Sequence, residues 1–300
     1  MCASATLSGV ALLEACRLAH DDDAPRLVWA DDVGGERGEL VVLQCDLARD
    51  GIAGAERAAR VQRQRELLAA HGTTWAGYLA RFATRWQFRR GFVEAAEIDA
   101  RAFMRKADAI FAAAPLLVSL TATGIGDELG IVHELVQQPA FWRLTGLELV
   151  DPQIGDDAVD LLLANNALES LRALGLAGLT PAAAHRLVAS RELATLEKLK
   201  LADHALGDDA VIAILRAAPR LTSLDLTDVR GDVAAIARVL PPLRELRIGP
   251  VTDAGVDALA AGPAGATLRT LILVDSETDV GAAHRFPALR SLDANQAPLL

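Results

Sequence analysis

The sequence predicts an α/β fold: a right-handed solenoid with a parallel sheet on its concave side and helices on its convex side, preceded by a small all-α cap. The first observation behind this is a recurring alternation, LTGLEL (144–149), LRALGL (171–176), LEKLKL (196–201), LTSLDL (221–226), LRELRI (243–248) and LRTLIL (268–273), at spacings of 27, 25, 25, 22 and 25 residues. The second is that a helix-period stretch such as DDAVDLLLAN or DDAVIAILRAA follows most copies, so each unit reads strand, turn, helix. The third is composition. Of 300 residues 52% are hydrophobic but only 12 are aromatic, so the core is built from many small interlocking aliphatic positions.

Weaker copies, VEAAEI (93–98), LVSLTA (117–122) and LRSLDA (289–294), extend the array to eight or nine units over residues 92–300. One unit cannot bury its Leu face alone, whereas stacked units join their strands into a parallel sheet over a continuous core. The LxxLxL pattern resembles leucine-rich repeats, and the variable length with a helical second half is most similar to the ribonuclease-inhibitor-like subclass. That resemblance implies a protein-binding scaffold. The chain departs from it three residues after the last Leu of each copy, where an Asn or Cys ladder would stand and Pro152, Leu179, His204, Val229, Val251 and Ser276 occur instead. The turns are therefore expected to hold by packing, without a side-chain ladder.

Residues 1–56 read as three short helices: an apolar run ending near His20, a second after Asp21, Asp22 and Asp23, and a third from about Glu36 to Asp50. The strings DDDAPRLVWAD, ERGE and LQCDLA, between Leu12 and Ala48, resemble a small bacterial repeat-companion domain that precedes repeats. That domain has no assigned chemistry, which leaves capping of the solenoid or a docking face as its role. Residues 57–91 read as a basic, aromatic-rich helical connector. Eight of the 12 aromatics fall between Trp75 and Phe111, and Trp75, Tyr78, Phe82 and Trp86 follow helical spacing, as do Arg81, Arg85 and Arg89 on another stripe.

Charge is segregated. The first 56 residues are acidic, residues 57–115 hold 11 basic and 5 acidic side chains, and residues 116–300 hold 15 basic and 24 acidic, a net −9 within a total of −10. An acidic repeat region repels phosphate backbones, so nucleic acid is disfavoured there; only the Arg81, Arg85 and Arg89 stripe with its aromatics offers an alternative nucleic-acid patch. The acidic field favours a protein partner with a basic or mixed-charge face.

No catalytic or metal constellation assembles from the sequence. Asp21, Asp22, Asp23, Asp31 and Asp32 lack EF-hand spacing and read as helix caps, and Asp156, Asp157, Asp208, Asp209 and Asp253 precede successive outer helices in the same way. Six histidines, at 20, 71, 133, 185, 204 and 284, are scattered, and GIGDELG departs from a phosphate-binding loop. Cys2, Cys16 and Cys45 form no CxxC pair. The opening residues have no basic leader and the longest apolar run, 109–118, contains Pro115, so a cytoplasmic chain outside the membrane is expected. No cofactor and no enzymatic activity are expected.

Residues between the Leu positions of each strand point away from the core. They form a central file of Glu97, Thr121, Glu148, Gly175, Lys200, Asp225, Arg247, Ile272 and Asp293, flanked by Lys198, Ser223 and Glu245. Solenoids bind through such surfaces, so Glu148, Lys198, Lys200, Ser223, Asp225, Glu245 and Arg247 are the expected partner-binding residues. The final DANQAPLL suggests a monomer whose tail, with Pro298, Leu299 and Leu300, folds over the last edge; pairing of that edge into a dimer is the alternative.

Overall fold

The computed structural model describes residues 9–49, 51–52, 54–202, 206–227, 231–276 and 280–294. His204, Val229 and the tail expected to cover the last edge lie outside these. The chain divides into two compact units, residues 1–120 and 121–300.

In the first unit α1 (Gly9–Leu18), α2 (Ala24–Val33) and α3 (Gly35–Ala48) follow one another as the apolar spacing predicts, and α4 (Gly54–Ala76) comes next. The connector is then not a continuous helix. Gly77, at φ 58°, ends α4 in a 3-10 turn, Gly77–Arg81, and the chain enters β1 (Ala83–Arg89), which pairs antiparallel with β2 (Phe92–Asp99) before α5 (Ala100–Ala113). The expectation of an all-α cap is corrected accordingly. Trp75, Tyr78, Phe82 and Trp86 do not share a helical face, because pairing with β2 overrides a spacing that suited a helix equally well.

The hairpin turns at Arg90 (φ 44°) and Gly91 (φ 87°), two left-handed residues as a tight turn with the twist of its strands requires. A Cβ on Gly91 would overlap Val41 of α3, so the turn can sit against that helix only with glycine there. Gln44 of α3 is buried and holds both sides of the turn: its Nε2 donates to Phe88 O at 3.1 Å and its Oε1 accepts from Gly91 N at 2.7 Å. Arg26 of α2, fully buried, donates to His20 O at 2.8 Å and faces Glu94 Oε1 of β2 at 2.8 Å. Arg37 sits among the rings of Trp29, Trp75, Phe88 and Phe92 with its Cζ 5.1–5.6 Å from their centroids, and burial lowers its pKa to about 10. Helices and hairpin thus share one interior, with Cys16, Ala30, Val41, Cys45, Phe92 and Leu116 in a single apolar cluster.

In the second unit, strand and helix alternate: β3 (Ser119–Thr123), α6 (Leu129–Gln137), β4 (Gly146–Leu149), α7 (Gly155–Ala164), β5 (Ala173–Ala177), α8 (Pro181–Ala189), β6 (Lys198–Ala202) and α9 (Asp208–Ala217). They continue with β7 (Ser223–Leu226), α10 (Val233–Ala237), β8 (Glu245–Ile248), α11 (Asp253–Ala261), β9 (Thr270–Leu273), a 3-10 turn (Val280–Arg285) and β10 (Ser291–Ala294). The strands lie side by side in chain order, and β4 to β10 pair in parallel. Leu147, Leu174, Leu199, Leu224, Leu246 and Leu271 stand opposite one another, each 2% exposed or less. Successive helices pack on one another from α6 to α11. This is a leucine-rich-repeat-like α/β architecture.

Side chains do stitch the repeats, contrary to the expectation of unladdered turns. Asp156 Oδ1 accepts from Thr180 N at 2.8 Å, and Asp208 accepts from Asp232 N at 3.0 and 3.1 Å through its two oxygens, in each case 24 residues on. Ser276, buried at a ladder position, accepts from Val251 N and donates to Val274 O, both at 3.0 Å. Asp156 and Asp208 therefore bond the cap residue of the next unit; Thr180 and Asp232 in turn cap α8 and α10. In the first unit Asp22 accepts from Ala24 N at 2.9 Å, whereas Asp23 at the N-cap makes no capping bond and faces Arg49 at 3.3 Å.

Two stability predictions follow from these contacts. Replacing Asp208 with Ala removes the acceptor of an interrepeat amide and should lower unfolding free energy by about 1 kcal/mol, measured by urea titration. Replacing Glu94 with Leu strands the Arg26 charge in the interior and should cost about 3–5 kcal/mol; a loss below 1 kcal/mol would mean that Arg26 is solvated.

Candidate interaction surface

Alternation along each strand decides this surface: with Leu at every second position buried, the residues between them emerge on the open face of the sheet. The register places Glu148, Gly175, Lys200, Asp225, Arg247 and Ile272 opposite one another on β4 to β9, with Asp293 of β10 next in the file. Beside them Lys198, Ser223 and Glu245 form a second file on β6 to β8. Glu97, expected in the first file, belongs to β2 of the first unit, where it accepts from Thr84 Oγ1 and lies 4.0 Å from Arg85.

Two polar networks cross the central file. Lys200 Nζ reaches over β5 to Glu148 Oε1 at 2.6 Å, and Thr121 Oγ1 donates to the other oxygen of Glu148 at 3.2 Å. Gly175 makes that reach possible, since a Cβ there would stand 2.6 Å from Glu148 Cγ. In the second network Thr227 N donates to Asp225 Oδ1 at 3.0 Å, Thr227 Oγ1 also donates to Oδ1, and the same hydroxyl accepts from Arg247 Nε at 3.0 Å. Arg247 Nε is 3.9 Å from Asp225 Oδ2, so the hydroxyl mediates most of this contact. In the flanking file Ser223 Oγ donates to Glu245 Oε2 at 3.2 Å. Thr227 is the member that sequence reading missed; its position two residues after Asp225, just past the end of β7, was the available signal.

Burial pushes the Asp225 carboxyl above its ordinary pKa, against the hydrogen bonds from Thr227 and the attraction of Lys200 and Arg247, which pull it down. Desolvation outweighs its partners.

The alternative nucleic-acid patch is dispersed. Arg81 lies in the 3-10 turn over the Tyr78 ring at 5.1 Å, Arg85 is on β1 near Glu97, and Arg89 bonds Gln87 Oε1 at 2.9 and 3.1 Å. Other arginines of the basic segment face the acidic helices: Arg60 meets Asp46 at 2.7 Å, Arg63 meets Glu39 through two bonds of 2.8 Å, and Arg90 is 3.7 Å from Asp21. The Arg63 bonds hold the Glu39 carboxyl below its ordinary range. Among the described residues no group of three or more His, Cys, Asp or Glu could hold a metal ion, and no helix is long and apolar enough to cross a membrane.

A carboxyl whose pKa is raised by folding supports the fold below its unfolded pKa and loses that support as pH rises through the folded value. At neutral pH the ionised Asp225 is thus a net cost. Asp225→Asn, which keeps the acceptor for Thr227, should raise Tm slightly at neutral pH and leave it unchanged below the carboxylate range; a lower Tm at neutral pH would show that the ionised form is the stabilising one.

No family model and no curated protein matches this chain. Among solved structures 16 chains match, one of them in the crystal structure of the Rad7 and Elc1 complex in yeast. That chain is 14% identical, with 96% of this chain and 87% of that chain covered at a TM-score of 0.45. A likeness of that size adds nothing to what the order of strands and helices already shows.

Proposed function

We propose that this chain is a non-enzymatic protein-interaction module, a right-handed leucine-rich-repeat solenoid that holds a protein partner on the concave face of its sheet. The observation that carries the reading is the central file: Glu148, Lys200, Asp225 and Arg247 are set in register on a rigid backbone and oriented by hydrogen bonds to Thr121 and Thr227. A surface ordered before the partner arrives spends little side-chain entropy on binding. Lys198, Ser223 and Glu245 extend it by one file. The helices of residues 1–56 resemble a repeat-companion domain, and the reading places the protein in the cytoplasm. A partner with a basic or mixed-charge face fits the net −9 of residues 116–300, and its association rate should fall as salt rises.

The test is capture of partners from the native cytosol, read by mass spectrometry, with wild type beside a variant reversed at Lys200, Asp225 and Arg247. These groups are half-buried, so Tm is measured beside capture; the variant should keep a cooperative thermal transition while capture is lost. Unaltered capture would remove the sheet face from the binding site. Filter binding with RNA and DNA at two salt concentrations tests the rival: tight, steeply salt-dependent binding that vanishes on replacing Arg81, Arg85 and Arg89 would make the chain a nucleic-acid-associated protein.

A further inference from the structure

Arg26 and Arg37 both reach into the interior of the first unit, but their surroundings differ. Arg26 faces Glu94 Oε1 at 2.8 Å. Around the Arg37 guanidinium stand four rings from four elements, with Cζ 5.5 Å from Trp29 of α2, 5.1 Å from Trp75 of α4, 5.4 Å from Phe88 of β1 and 5.6 Å from Phe92 of β2. Among the described residues no carboxylate lies within ion-pair distance of Arg37; its Nη1 is buried without a hydrogen-bond partner, and burial alone acts on its pKa. Glu36, beside it in sequence, is engaged elsewhere, with Oε2 at 2.8 Å from His71 Nε2 and Oε1 at 3.8 Å from Arg63.

Ring faces attract a cation, which explains how the charge is tolerated there. They leave its donors unanswered. A guanidinium carries five N–H groups in a planar fork, and a buried donor without an acceptor is destabilising. The place is not sealed from solvent: Arg37, Trp29 and Trp75 are each partly exposed, whereas Phe88 and Phe92 are buried. Both indoles are held in position, Trp29 edge-on to Phe92 at 4.8 Å and Trp75 against His71 at 5.0 Å between centroids.

We propose that Arg37, flanked by Trp29 and Trp75, anchors a binding site for a small monocarboxylate with an apolar body. A carboxylate accepts two parallel N–H bonds from the guanidinium fork, and the indoles offer its apolar part a surface on which to pack. One guanidinium balances one negative charge. A phosphate dianion would leave an excess beside helices that are acidic over residues 1–56 and carry Asp31 and Asp32 at the end of α2. The site lies apart from the sheet face, and it stands or falls independently of the partner-binding reading.

Titration of the full chain with phenylacetate, followed in 1H–15N spectra through the tryptophan indole N–H and arginine Nε–H signals, tests it. The Trp29 and Trp75 signals should shift saturably while Trp142, in the second unit, stays in place. Phenylacetamide, which has the same body without the charge, and inorganic phosphate should each bind about tenfold more weakly or worse. Arg37→Met, which fills similar space, should lose binding about tenfold or more and keep Tm equal or higher, because a desolvated charge has been removed. Arg37→Lys, with the charge but not the fork, should fall between the two, so the proposal remains testable if the methionine variant fails to fold. Arg63→Gln, and reversal at Lys200, Asp225 and Arg247, should each change phenylacetate binding less than twofold. No saturable shift in wild type, equal affinity for phenylacetamide, tighter binding of phosphate, or full binding by a folded Arg37→Met protein would each overturn the proposal.

Discussion

The repeat region depends on one constraint: a strand-turn-helix unit of about 25 residues cannot bury its Leu face by itself. Burial is achieved only when the next unit pairs in the same register, and the buried line from Leu147 to Leu271 shows that β4 to β9 do so without slippage. A one-residue slip would turn every Leu outward, so the register is strongly enforced. Everything else on the sheet inherits that order. Residues at one place in the repeat become spatial neighbours, and the surface is organised into files rather than into a pocket.

The first unit is held by a different set of forces. Beside an apolar core that includes Leu40, Leu67, Phe103 and Ile110, its interior is completed by polar and cationic groups that reach across elements: Gln44 to the hairpin turn, Arg26 to Glu94, and Arg37 into a ring of four aromatics. Each is costly to bury alone and tolerable when its partner is present. Such contacts make helices and hairpin interdependent, which is a reason to regard the amino-terminal helices as part of one compact unit. Burial has a further consequence for Cys45, whose thiol is pushed up to about 12 and is thereby kept in its unreactive, protonated form at neutral pH.

On the sheet face, charge is largely balanced internally. Lys200 answers Glu148 across Gly175, and Thr227 links Asp225 to Arg247. A partner that uses these groups must offer hydrogen bonds at least as good as the ones it displaces, which makes the central file a source of specificity more than of affinity.

Sequence by itself determined the repeat, its spacing, the alternation of strand and helix and the central file from Glu148 to Ile272, because Leu periodicity reports which face of a strand is buried; Glu97, expected in that file, belongs to the hairpin of the first unit. It also placed the three amino-terminal helices, whose starts follow apolar spacing. Tertiary structure decided the rest. Residues 83–89 carry a spacing that suits a helix or a strand, and only β2, brought alongside by the Arg90 and Gly91 turn, selects the strand. Asp156 and Asp208 look like ordinary helix-start residues, yet their carboxylates serve the following repeat, a partner 24 residues away. Local pattern encodes which side of an element is buried; which polar atom answers another depends on distances that exist only after the units have stacked.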